Sequence, residues 1–204
     1  MTTRRRTLAW LLAAVALCAL ATALDSWAYH HVVFARVYET DWGRALRSVG
    51  YWPLWMAIAL AFWLDGRPDP LAAWRAQFLA ISVTAAGLLC EVCKMLLRRE
   101  RPNAHDGAYV FRAFTDRPFN TSGIGLPSSH AFLAFAAAAA LARLFPHTAP
   151  IWYVLAIGCA ITRVLARAHF LSDVALGAVL GVALVAVIGR KLPLPRSPDR
   201  AIPR

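Results

Sequence analysis

The stretch "RVLARAHFLSDVALGAVLGVALVAVIG" at 163–189 sets two arginines, a histidine and an aspartate against an apolar run that continues to Gly189. A hydrocarbon layer of about 30 Å needs roughly 20 mostly apolar residues to cross as a helix, and 170–189 meets that length. The rest of the chain reads the same way. Its 204 residues are 59% hydrophobic and only 16% charged, below the roughly 25% of soluble domains. Six apolar segments are predicted as transmembrane helices, at about 7–24, 49–64, 77–97, 130–145, 150–166 and 170–189. No soluble domain of any size fits in what remains. The fold class is therefore all-α: one polytopic integral membrane domain over 1–204, with its core at about 77–190 and a disordered tail at 192–204.

Charge then orients the predicted bundle. The formal net charge is +11, yet the basic residues form no soluble face for nucleic acid. They flank the apolar segments: Arg4, Arg5 and Arg6 before the first, Arg190 and Lys191 after the last, and Arg196, Arg200 and Arg204 beyond. Positive charge stays on the cytoplasmic side, so both termini are predicted inside, as an even number of spans requires. The residues "ATA" at 21–23 leave a signal-peptide cleavage site as an alternative reading of the first segment. Residues 25–48 fit either an aromatic belt or an interfacial amphipathic helix. Cys18, Cys90, Cys93 and Cys159 all fall in apolar segments, without the spacing of a zinc site or a disulfide framework.

The orientation rule fails in one place. Lys94, Arg98, Arg99, Arg101, Arg112, Arg117, Arg163 and Arg167 all fall on the predicted outer side. Ionisable groups at membrane depth are costly and mark function by default. Three short segments carry them. "KMLLRRERP" at 94–102 spaces Lys94 and Arg101 by two helical turns before Pro102 stops the helix; snorkelling cations at a helix end are the plainer reading. "GLPSSHAF" at 125–132 caps a helix with Ser128 or Ser129, leaving free N–H groups as an anion-binding mouth beside His130; taken alone it is only a cap. In "TRVLARAHFLSD" at 162–173, His169 and Asp173 stand four apart, so the carboxylate can hold one imidazole nitrogen. Arg163 faces away from His169 on a continuous helix, so a break near 166–168 is expected. Cations, a capped helix start and an oriented histidine together fit a phosphoryl group, with one histidine as nucleophile and the other as acid.

At these residues the sequence resembles the type 2 phosphatidic acid phosphatase superfamily, whose pattern is K-x6-R-P, P-S-G-H and S-R-x5-H-x3-D. Lys94 to Arg101-Pro102 matches the first motif. Pro127-Ser128-Ser129-His130 matches the second with Ser129 in place of Gly, and Thr162-Arg163 through His169 and Asp173 matches the third with Thr162 in place of Ser. The resemblance runs over about 77–190. It implies His169 as the nucleophile that forms a phosphohistidine, Asp173 as its orienting carboxylate, and His130 as the acid that protonates the leaving oxygen and then activates water. Lys94, Arg101, Ser128, Ser129 and Arg163 would bind the phosphate, with neither metal nor cofactor. Ser129 adds a Cβ where the family's backbone approaches the phosphate.

The expected activity is hydrolysis of a lipid phosphomonoester or diphosphate at the outer face of a cell (inner, cytoplasmic) membrane. Phosphatidic acid, phosphatidylglycerol phosphate, a polyprenyl diphosphate and a lipid A-like glycolipid all fit. The expected partners are that lipid phosphate and membrane lipids, with no nucleic acid; no oligomeric state is read from the sequence. A phosphotransferase that hands the phosphate to another alcohol is the alternative, and a non-catalytic lipid-binding protein is a further one. Outside the motifs, His105, Asp106, Arg112 and Asp116 read either as solvated loop residues or as headgroup contacts. Arg98, Arg99 and Arg167 read as attracting an anionic substrate or neighbouring lipid phosphates. Glu91 is expected to pair with a basic side chain, and His30, His31 and His147 have no motif.

Overall fold

Seven α-helices, and among the described residues no β-strand, follow one another in the chain: α1 (Thr3–His31), α2 (Asp41–Ser48), α3 (Trp52–Asp65), α4 (Pro70–Leu97), α5 (Ser129–Leu144), α6 (Ala149–Leu165) and α7 (Leu171–Lys191). They come from a computed structural model that describes residues 3–67 and 69–193. Most of the tail expected to be disordered, 194–204 with its three arginines, lies outside the described residues.

All six predicted segments are helical, but several reach further than apolarity indicated. In α1 the helix passes Asp25 and ends at His31, whose ring nitrogen meets the Trp27 carbonyl at 2.9 Å. Residues 70–75, expected to be a connection, already belong to α4: the Asp69 carboxylate caps the Leu71 N–H at 2.9 Å and Pro70 takes the first helical position. In 25–48 an amphipathic helix forms at α2, capped by Thr40, and meets α3 at a bend of 65°. Gly50 occupies that bend because any side chain would collide: a Cβ there would stand 2.6 Å from the His130 Cβ.

Four helices are long and apolar enough to cross a membrane, α1, α4, α6 with its preceding turn, and α7, or five if the bent α2–α3 pair counts as one. The fourth predicted segment, α5, has only 16 residues, about 24 Å at 1.5 Å each. It is also the bundle's centre, since Ala131–Ala134 and Ala136–Leu141 are all buried. By contrast only 6% of the apolar window of α1 is buried.

Small residues bring α5 and α7 together. A Cβ on Gly177 would sit 2.9 Å from the Ser128 carbonyl oxygen, and one on Gly181 2.6 Å from that of Phe132. Such close backbone approach lets helices pack by dispersion where apolar burial gives little drive. The ends that matter gather on one face. There Phe34 N–H reaches the Leu165 carbonyl (2.9 Å), Ser128 N–H the Asp173 carbonyl (3.0 Å), and Ser172 N–H the Asp25 carboxylate (2.8 Å). At the opposite end the Arg143 guanidinium donates to the Gly189 carbonyl.

Candidate active site

The first motif does not continue as a helix to Pro102. Helix α4 ends at Leu97, and Arg98 caps it in the left-handed region, φ 54°, its N–H on the Lys94 carbonyl. Lys94 and Arg101 therefore do not project from one helical face. Arg101 instead lies on an extended segment laced to two others: Arg112 N–H to Arg98 O (3.0 Å), Glu100 N–H to Val110 O (2.9 Å), Gly125 N–H to Arg99 O (2.7 Å) and Arg101 N–H to Gly123 O (3.0 Å). Buried Arg98 locks the loop by donating to the carbonyls of Arg112, Ala113, Asp116 and Pro118. Buried Arg112 donates to Glu100 and to the carbonyls of Asn120 and Ser122. Neither arginine faces solvent or lipid, which corrects both sequence readings of them.

The second motif enters α5. Ser128 is fully buried and its hydroxyl caps Ala131 N–H; Ser129 opens the helix; His130 follows with Gly50 against it. Helix α4 meets this turn through Cys90, whose thiol lies 3.8 Å from the Pro127 carbonyl. One turn on, Lys94 is buried with its ammonium 2.8 Å from Glu91, the pairing expected of that glutamate, and Glu91 also accepts from Thr121.

The third motif breaks where the geometry demanded. Helix α6 ends at Leu165, Arg167 adopts φ 53°, and α7 begins at Leu171. His169 thus precedes the helix rather than riding on it, and its Nδ1 has two acceptors, the Gly125 carbonyl at 2.9 Å and the Asp173 carboxylate at 3.5 Å. Two acceptors on Nδ1 require the proton there, leaving the Nε2 lone pair free. Burial holds the imidazole down to about 4 although Asp173 pulls the other way, so the ring is neutral near pH 7. Asp173 is itself fixed: one oxygen accepts the Phe170 N–H (2.8 Å) and the other an Arg99 guanidinium N–H (2.5 Å).

Around this imidazole the motifs converge. Arg101 and Arg163 both lie within electrostatic reach of His169 and of His130. Arg163 is 4% exposed and donates to the Tyr38 hydroxyl (2.8 Å), which donates onward to the Thr162 carbonyl (3.1 Å). Yet the Nε atoms of Arg101 and Arg163 are buried with no hydrogen-bond partner among the described residues. The Nε atoms of Arg99 and Arg75 are likewise unmet, but Arg101 and Arg163 hold theirs within electrostatic reach of both histidines. Among the described residues no group of three or more His, Cys, Asp or Glu stands close enough to hold a metal ion.

The family model described as the PAP2 superfamily matches residues 75–193. The chain belongs to that superfamily. Among curated relatives, a lipid A 1-phosphatase of Rhizobium etli is 33% identical over 109 residues, covering 53% of this chain and 47% of that protein. Another lipid A 1-phosphatase, of Rhizobium johnstonii, is 34% identical over 111 residues, 53% of this chain and 44% of the relative. The match therefore spans about half the length of these relatives. No solved structure matches.

Several residues of the site escape the superfamily motifs. Tyr38, Gly50, Arg99 and Gly125 bear directly on Arg163, His130, Asp173 and His169. Arg99, read as attracting an anionic substrate or neighbouring lipid phosphates, is buried and donates to Asp173; Arg167, read the same way, donates to the Tyr29 carbonyl (3.0 Å) and stacks on its ring. His105 binds Glu100 and Asp106 accepts from Tyr29, so neither is a free loop residue. Of the apolar cysteines, Cys90 and Cys159 are buried whereas Cys18 and Cys93 are half-exposed.

Proposed function

We propose that this chain is a membrane lipid phosphatase working through a phosphohistidine, with His169 as nucleophile. The observation that carries the reading is a pair of arginines, buried Arg163 and half-buried Arg101, whose enclosed Nε–H donors are unmet beside an imidazole whose free nitrogen has no proton. Arg101, Arg163, Lys94, the Ser128 and Ser129 turn and the first N–H groups of α5 receive the phosphate oxygens. Nε2 of His169 attacks phosphorus, the N–P bond forms, and the P–O bond to the lipid breaks. His130 gives its proton to the leaving oxygen. Asp173 and the Gly125 carbonyl stabilise the charge that appears on the ring as the N–P bond forms. A water that surrenders its proton to His130 then attacks phosphorus, releasing inorganic phosphate and restoring His169. No metal takes part.

The relatives' name favours a phosphorylated glycolipid of the lipid A kind over phosphatidic acid, phosphatidylglycerol phosphate or a polyprenyl diphosphate. An apolar cleft between α1, α5, α6 and α7, lined by Leu24, Ala160, Leu171 and Val174, ends beside the first turn of α7 and would take an acyl chain from the side. The chain crosses an inner membrane six times as one domain, both termini cytoplasmic and the site on the outer face; α2–α3 supplies one crossing and α5 a short, protein-enclosed one.

Purified protein in detergent, offered these four lipid phosphates in excess chelator, is expected to release phosphate, from the glycolipid fastest. His169→Ala and His130→Ala should each abolish release in protein that remains folded, and Lys94→Ala should chiefly raise KM. Turnover that needs added divalent metal, or that survives His169→Ala, overturns the mechanism. Labelled acceptor alcohol appearing as its phosphate ester, in place of free phosphate, would assign the phosphotransferase instead.

A further inference from the structure

Asp25 is a carboxylate on α1 with 1% exposure, and α1 lies outside the residues that match the superfamily. A buried carboxylate survives only where its oxygens are satisfied, and this one accepts three hydrogen bonds. Ser172 N–H reaches one oxygen at 2.8 Å; the Ser172 hydroxyl and the Tyr109 hydroxyl (2.6 Å) reach the other. Tyr109 is a firm donor, since burial and then its bond to Asp25 push its pKa up to about 12.

Ser172 gives its one proton to Asp25, so its oxygen is left to accept, and Arg99 donates to it at 2.6 Å. The same Arg99 nitrogen donates to Asp173 at 2.5 Å, and the guanidinium lies over the rings of Tyr109 (4.9 Å) and Phe170 (5.0 Å). The order of groups is therefore Asp25, Ser172, Arg99, Asp173, His169, with charge alternating across a region closed to water. Arg99 alone would draw the Asp173 charge away from the histidine. Asp25 offsets that pull from behind.

Resting on the phosphohistidine reading, we propose that Asp25 and Arg99 are positioning residues: through Ser172 they hold Asp173 with one oxygen on Arg99 and the other turned to His169, so that the first helix completes the catalytic apparatus. Asp25 touches neither substrate nor reacting atoms. Its effect passes entirely through Asp173, and this separates it from a residue that merely fastens α1 to the bundle.

The test is a double-mutant cycle on the full chain in detergent, reading kcat and KM for phosphate release. Asp25→Asn keeps shape and removes charge; it should lower kcat about tenfold with KM unchanged, as expected when only charge developing in the transition state loses support. In an Asp173→Asn background, which retains the residual turnover of the phosphate cage, Asp25→Asn should change nothing further. An undiminished kcat, or the same loss in both backgrounds, overturns the proposal. Independently of turnover, 15N spectra of histidine-labelled protein should show His169, identified by its absence in His169→Ala, with the proton on Nδ1 in both proteins because the Gly125 carbonyl holds it there at 2.9 Å, and with the Nδ1 resonance shifted in Asp25→Asn as Asp173 turns away from it. An Nδ1 resonance unmoved by Asp25→Asn would also overturn it. If the wild type releases no phosphate, the function reading fails and the spectra decide the role of Asp25 alone.

Discussion

Arg163, proposed to hold the phosphate, shows how a buried cation can keep a donor to spare. Its burial is tolerated because Tyr38 supplies an oxygen on one side, while the Nε side is left without a partner. Tyr38→Phe removes that oxygen, and with it the bond to the Thr162 carbonyl, while keeping the ring. The guanidinium then loses a fixed geometry before substrate arrives, and KM should rise about tenfold while kcat changes less, the size of one hydrogen bond to a charged group. Steady-state kinetics check this; equal KM values would mean that Tyr38 only packs. Tyr38 was not legible in the sequence as a site residue, because it reads as one more aromatic at a membrane interface, and its partner lies 125 positions away. As candidates, Lys94, Ser128, His130, Arg163, His169 and Asp173 were legible because their spacings are local. What no spacing revealed is which acceptor comes first on His169: the Gly125 carbonyl, two residues ahead of the second motif, stands nearer than Asp173.

At the scale of elements, hydropathy located every α-helix but one, since each of those six buries or exposes an unbroken apolar surface. It could not locate α2, a short amphipathic helix, nor the order of residues 98–126, which rests on guanidinium-to-carbonyl bonds between distant positions. Glu100 is the charge that closes this loop. The His105 ring, then Arg112, bind its ionised form and hold its carboxyl below its ordinary value of 4.5. A depressed carboxylate stabilises the fold above its unfolded value, and that contribution is lost as pH falls through the folded one. Amide exchange in residues 99–112, corrected for its own pH dependence, should therefore lose protection between about pH 5 and 3. Amides of α5 should hold theirs. Glu100→Gln should be less protected already at neutral pH and should not respond to acid in that window. Because Arg101 lies on the same laced segment, its activity should fall in parallel.

For the molecule as a whole, the proposed site holds together only while α5 and α7 stay in close contact, since Ser128 caps α5, His130 lies in its first turn, and α7 carries Asp173 behind His169. Two glycines on α7 permit that contact at different depths. Gly177 lies one turn beyond Asp173 and faces the Ser128 carbonyl, whereas Gly181 lies a turn deeper and faces the Phe132 carbonyl. An added methyl meets backbone oxygen at 2.9 Å in the first case and 2.6 Å in the second, and neither oxygen can swing aside as a side chain would. Overpacking of this kind costs about 1–3 kcal/mol. Gly181→Ala, the tighter clash, should lower the thermal midpoint in detergent more. Gly177→Ala should instead lower turnover more per degree of midpoint lost, because the helix is displaced where the Asp173 carbonyl accepts from Ser128 N–H at 3.0 Å and both phosphate-side and histidine-side groups depend on it. Measuring both midpoints and both kcat values separates the two effects. Should Gly177→Ala turn over like the wild type, the α5–α7 seam would be a matter of stability alone, and the alignment of the three motifs would have to be set elsewhere in the bundle.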